Sequence, residues 1–131
     1  MSIYLDSAAV VKLVHAETES AALRDWLNQR KDLPWISSVL VEVEAFRALA
    51  RNTPTAITRL HPVLDFIDLV EIDPTVRLLA QTVRPPTVRS LDAIHLATAL
   101  HVGRSLSAFV TYDKRLADAA TATGLNVQMP S

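Results

Sequence analysis

Apolar residues follow two patterns along the chain: short continuous runs, and longer stretches where they recur every three or four positions. The short runs predict buried strands at 3–5, 35–37, 69–72 and 108–112, with a weaker fifth at 126–128. The helical spacing predicts helices over 8–15, 20–31, 38–52, 55–66, 75–83, 91–102 and 114–123. Pro34, Pro54, Pro74 and the pair Pro85 and Pro86 punctuate these segments, as helix-stoppers or first-turn residues should. Strands alternating with helices of this length predict an α/β fold with three layers, α/β/α, around a central parallel sheet of four to five strands. No repeat, low-complexity tract or Gly/Ser linker interrupts the pattern, so residues 1–131 are expected to form one domain. In such sheets ligands bind outside the carboxyl ends of the strands, which directs attention to the residues that follow each strand.

Composition narrows the chemistry. Half of the residues are apolar and the mean hydropathy is +0.21, an oily balance that leaves apolar surface for a partner. Thirteen basic residues against fourteen acidic ones give a net charge of −1, so nucleic acid would have to be held by local patches rather than by a global basic field. The absence of cysteine excludes disulfides, thiolate metal sites and a cysteine nucleophile, and fits a reducing, cytoplasmic setting. The uncharged run at 119–131 is too short and too polar to span a bilayer, and the N-terminus lacks the pattern of a secretion signal, so no membrane association is expected.

The candidate chemistry lies in the acids. Asp6 ends the first apolar run, in "SIYLDSAAVV". Ser7 is itself a capping residue type and could start the next helix, which would leave Asp6 free for other work. Asp113 repeats the arrangement in "SAFVTYDKRLADAA", although alone it reads as a helix cap. Asp92 lies in "RSLDAIHLATAL", where Ser90 as cap would put it in the first helical turn. Each aspartate has an ordinary explanation; their repetition at three element junctions does not. A fourth acid comes from "SSVLVEVEAFRALAR", in which Glu42 and Glu44 flank an arc of Val39, Val43, Phe46 and Ala50 expected to face the core. Periodicity does not choose between the two glutamates. His95 follows Asp92 by three residues and could assist a metal site, but a histidine inside a helix usually has a structural role.

Four segments, "IYLDSAAVVKL", "SSVLVEVEAFRAL", "SLDAIHLATAL" and "FVTYDKRLADAA", resemble in order and over nearly the whole chain a PIN domain. More narrowly, they resemble the VapC-type ribonuclease toxins of bacterial toxin–antitoxin pairs. The resemblance implies a metal-dependent endoribonuclease that cuts single-stranded or structured RNA (tRNA, rRNA or mRNA) and so inhibits translation. It implies Asp6, Glu44, Asp92 and Asp113 as catalytic and metal-binding residues, with Glu44 rather than Glu42 matching the family's E-x-x-R-A-L helix. Oxygen donors without cysteine select Mg²⁺ or Mn²⁺. Asp6 and Asp92 are expected to hold the main ion and Asp113 to complete a second position, while Glu44 orients water or acts as base. Arg89, Lys114 and Arg115 flank these acids and are candidates for RNA phosphate contacts. The family habit and the apolar surplus together imply a homodimer that also binds a VapB-type antitoxin. A non-catalytic PIN-like module that docks a basic partner on its acids is the alternative. An aspartyl-phosphate enzyme fits less well, since residue 8 is Ala where such enzymes usually carry a second acid.

Overall fold

The structure is a computed structural model that describes residues 1–131. Five strands, β1 (Ser2–Leu5), β2 (Trp35–Ser38), β3 (Ile67–Val70), β4 (Leu106–Val110) and β5 (Val127–Gln128), form one parallel sheet in the order β3-β2-β1-β4-β5. The helices are α1 (Ser7–Val14), α2 (Ser20–Asn28), α3 (Leu40–Asn52), α4 (Leu60–Leu64), α5 (Pro74–Gln81), α6 (Ser90–Val102) and α7 (Lys114–Ala122). The expected α/β class and parallel sheet are thus observed. The order reverses at β1: the chain moves outward through β2 and β3, then returns to pair β4 on the other side of β1. That reversal opens a crevice at the carboxyl ends of β1 and β4.

β1 is buried along its whole length, and its alternation divides the interior in two. Ile3 and Leu5 enter a core built with α1, α2, α3 and α4, whose largest members include Leu23, Leu49 and Leu60. Tyr4 points the other way, into a core with Leu96 of α6, Phe109 of β4 and Leu116 of α7. Tyr4 stacks on Phe109, ring centroids 5.1 Å apart. In α6 the residues Ala93 and His95 to Ala99 are all buried, because small side chains let this helix sit close between its neighbours.

Three expectations need correction. The third strand is Ile67–Val70 rather than 69–72; it lies at the sheet edge, where half-exposed Leu69 and Val70 blur the apolar run. The helix expected over 55–66 divides into a 3-10 turn, Pro54–Arg59, followed by α4. The division puts Pro62 in the first turn of α4, where its missing N–H costs little. In α3 the core arc is Val41, Ala45 and Leu49, whereas Val43 and Phe46 are 57% and 48% exposed. This helix carries two apolar stripes, and packing on α1 and the sheet selects the one with the regular four-residue spacing.

Candidate active site

Asp6 closes β1 in extended conformation and caps α1, its Oδ1 accepting a hydrogen bond from Ala9 N–H at 2.9 Å. The cap is therefore Asp6 and not Ser7, which is the first helical residue. Asp6 is only 4% exposed, and its own N–H donates to Val110 of β4, tying the two strand ends together. Burial pushes its carboxyl above the ordinary range; hydrogen bonds from Thr111 and Ala9 and the nearby His95 offset this in part, and the charge of Asp92 adds to the rise.

Asp113 stands at the corresponding corner after β4. It caps α7 through Leu116 N–H at 3.0 Å, and its side chain is exposed. Asp92 lies in the first turn of α6, as expected, although Arg89 and not Ser90 occupies the cap position, without a side-chain hydrogen bond. Burial raises the Asp92 carboxyl, and the charges of Asp113 and Glu44 raise it further against the opposing pull of His95 and Arg89. The three aspartates thus share one electrostatic neighbourhood at the β1/β4 crevice.

Glu44 approaches from α3, and Glu42 does not: Glu42 is exposed and makes no ion pair or side-chain hydrogen bond. One oxygen of Glu44, Oε1, takes a hydrogen bond from the Ser7 hydroxyl and another from His95 Nε2 at 2.7 Å. Burial pushes this carboxyl up, but the His95 and Ser7 hydrogen bonds outweigh it and leave Glu44 below the usual range. His95 is fully buried, and its other ring nitrogen, Nδ1, meets the Tyr4 hydroxyl at 2.7 Å. Tyr4, His95, Glu44 and Ser7 therefore form a hydrogen-bonded chain across β1, α6, α3 and α1. Sequence reasoning allowed that His95 could assist a metal site and favoured a structural role; it did not find the contact with Glu44. Its one signal was the three-residue spacing from Asp92, which sets both on one side of α6.

As they stand, no three Asp, Glu or His side chains converge closely enough to enclose an ion. The donor set still suits a hard cation. Mg²⁺ typically takes one or two carboxylates and keeps several waters, so an open site of this kind is its usual form. Two carboxylates whose ionisation burial and mutual repulsion disfavour are also what a divalent charge would relieve. Beside Asp92 and Asp113 lies a groove of about 250 Å³, and the expected cations Arg89, Lys114 and Arg115 all line it.

Comparison with known proteins gives the family. The family model described as "PIN domain" matches residues 3–122. The chain is 48% identical over 130 residues to "Ribonuclease VapC35" of Mycobacterium tuberculosis, covering 98% of this chain and 96% of that one. It is 44% identical over 130 residues to "Ribonuclease VapC46" of the same species, covering 99% and 98%. Among solved structures, VapBC2 from Rickettsia felis bound to a promoter DNA fragment aligns with a TM-score of 0.77 at 11% identity, covering 100% of both chains. Mycobacterium tuberculosis VapC20, described as a sarcin-ricin loop cleaving toxin, aligns with a TM-score of 0.76 at 17% identity, covering 99% of this chain and 100% of that one. At these identities the two structures speak for the fold alone, while the match of the family model and the near full-length relatives carry the family. The chain belongs to the PIN-domain family, and within it is of VapC type.

Proposed function

We propose that this protein is a divalent-metal-dependent endoribonuclease, the toxin of a toxin–antitoxin pair. The observation that carries the reading is the gathering of Asp6, Asp92 and Asp113, with Glu44 beside them, at the topological switch point of the sheet. The full-length relatives named as ribonucleases support it. Asp6 and Asp92 would hold a Mg²⁺ or Mn²⁺ ion, with Asp113 available for a second position. Such an ion, when bound, lowers the pKa of a water and offsets charge on a phosphodiester. Glu44, ionised and held by one oxygen, keeps Oε2 free to accept a proton from water or to orient it. Arg89, Lys114 and Arg115 would hold RNA phosphates against the acids.

The two glutamates separate sharply in this scheme. Glu44→Gln is expected to lower kcat by about 100-fold, a size typical of a lost acid–base group, while Glu42→Gln stays within about twofold of wild type. Steady-state cleavage of a fluorogenic RNA oligonucleotide measures both. Equal losses would contradict the role given to Glu44.

Alanine at Arg89, Lys114 or Arg115 is expected to raise KM for RNA with little change in kcat. The slope of log affinity against log salt should flatten by about 0.7 for each phosphate contact removed. A fall in kcat with unchanged salt dependence would assign these residues elsewhere.

Val43 and Leu91 are exposed in the groove that reaches Ser7 and Glu44, and Phe46 is exposed on the same helix as Val43; this supports burial of that face against protein. The reading is of a homodimer that also binds a VapB-type antitoxin, which would cover apolar surface and turn a basic side chain toward the acids. Brief expression of the protein in cells, with RNA ends mapped by sequencing, tests the function. Growth arrest with discrete RNA cuts, both prevented by co-expression of the neighbouring short reading frame, is the expected result. Arrest without new RNA ends would favour the non-catalytic module instead.

A further inference from the structure

The chain of hydrogen bonds behind Glu44 has a direction. A carboxylate oxygen can only accept, so in either protonation state of the ring the 2.7 Å contact has His95 Nε2 as donor and Oε1 as acceptor; the Ser7 hydroxyl also lies 3.1 Å from Nε2. Nδ1 then has a single partner, the Tyr4 hydroxyl at 2.7 Å. Tyr4 is itself immobilised, with no exposed surface, stacked on Phe109 and packed edge-on to the His95 ring at 81°. Ser7 supplies a second donor to the same oxygen. Both protein donors thus fall on Oε1 and none on Oε2. A carboxylate whose two oxygens were interchangeable would lose that distinction whenever its torsion turned over.

We propose that Tyr4 and His95 are positioning residues for Glu44: Tyr4 fixes the His95 ring, and the ring pins Oε1 so that Oε2 alone faces the crevice. This rests on the reading of Glu44 as part of an RNA-cleaving site. The relay touches no reacting atom. It acts by removing rotational freedom from a side chain that must present one oxygen repeatedly in the same place.

Three variants test it: His95→Gln, whose amide can still donate to Oε1, His95→Leu, which cannot, and Tyr4→Phe, which keeps the stacked ring and removes only the hydroxyl. In purified protein, kcat on an RNA oligonucleotide should fall about 50-fold for His95→Leu, recover to within about fivefold of wild type for His95→Gln, and fall about tenfold for Tyr4→Phe. KM should stay within about twofold throughout, since the relay does not contact substrate. A second readout needs no metal and no turnover. In ¹⁵N spectra of the metal-free protein, His95 should carry its proton on Nε2, and its Nδ1 resonance should move in Tyr4→Phe. Melting curves of each variant show that it is folded, and Tyr4→Phe keeps the test open if a His95 variant is not. Equal losses for folded His95→Gln and His95→Leu, a bare Nε2, or a wild-type kcat and Nδ1 resonance in Tyr4→Phe would each overturn the proposal. Failure of the wild-type protein itself to cleave RNA would strike at the ribonuclease reading, while the spectra would still report on the relay.

Discussion

Asp6→Asn and Asp92→Asn are each expected to lower RNA cleavage by about 1,000-fold, the scale on which removal of a key electrostatic group from a catalytic site acts. Both should leave the fold intact, for reasons specific to each position. Asp6 caps α1 through Oδ1, and asparagine offers the same carbonyl oxygen to Ala9 N–H and caps as well as aspartate. Asp92 caps nothing and makes no side-chain hydrogen bond, so its amide replaces only a charge. The loss should therefore appear in turnover while far-ultraviolet circular dichroism stays as in wild type. Near-normal cleavage by either variant, in purified protein at fixed metal concentration, would remove that residue from the site.

The second large effect is on stability. Asp92 gains about 0.3–1 kcal/mol from the α6 dipole, but burial and the charges of Asp113 and Glu44 work against its ionised form and prevail, since its pKa is raised. In chelator near neutral pH, Asp92→Asn should melt no lower than wild type. The sign with pH follows from the raised values of Asp6 and Asp92. The folded chain binds their protons more tightly than the unfolded chain, so their contribution to stability falls as pH rises through the raised native pKa values and is unpenalised below the unfolded ones. Glu44, lowered, has the opposite sign: its contribution is present above its unfolded pKa and is lost as pH falls through the native one. It is present in both proteins, and the loss of the Asp92 charge in the variant favours the ionised form of Glu44 a little further, which adds to the variant's advantage. The advantage of Asp92→Asn in chelator should thus be near zero below the unfolded carboxylate pKa of about 4 and should grow as pH rises through the raised native value. Mn²⁺ at a hundredfold excess over its Kd should raise the melting temperature of wild type by on the order of 10 °C, and that of Asp92→Asn by much less. A variant that melts clearly lower in chelator and gains as much from Mn²⁺ as wild type would make Asp92 a helix-end residue only.

Much of this was legible in the chain because the apolar runs stop abruptly at the acids. β1 and β4 end within three residues of Asp6 and Asp113, and the α/β alternation alone puts those ends on one edge of a parallel sheet, while their being neighbours comes from the strand order. What the sequence withheld was tertiary. Whether Ser7 or Asp6 caps α1 depends on which side chain the strand end turns toward Ala9, and two capping residue types side by side leave that open. Glu42 and Glu44 flank the inward stripe of α3 on opposite sides, so periodicity left both open; the family motif singled out Glu44, and it is Glu44 that Ser7 of α1 and His95 of α6 reach. His95 finds its partners 51 and 91 residues away, beyond any local pattern. The outward stripe of Val43 and Phe46 looked like core because apolar spacing reports that a face is covered, not by what.

The most direct measurement is cleavage of total RNA by the purified toxin, freed of any antitoxin, first in chelator and then after Mn²⁺ is restored, with Asp92→Asn run alongside. New ends should appear at a few discrete positions with wild type, only after Mn²⁺ is added, and be absent from the variant under both conditions. Cleavage that persists in chelator, or that Asp92→Asn performs as well as wild type, would contradict a metal-dependent site built on these acids.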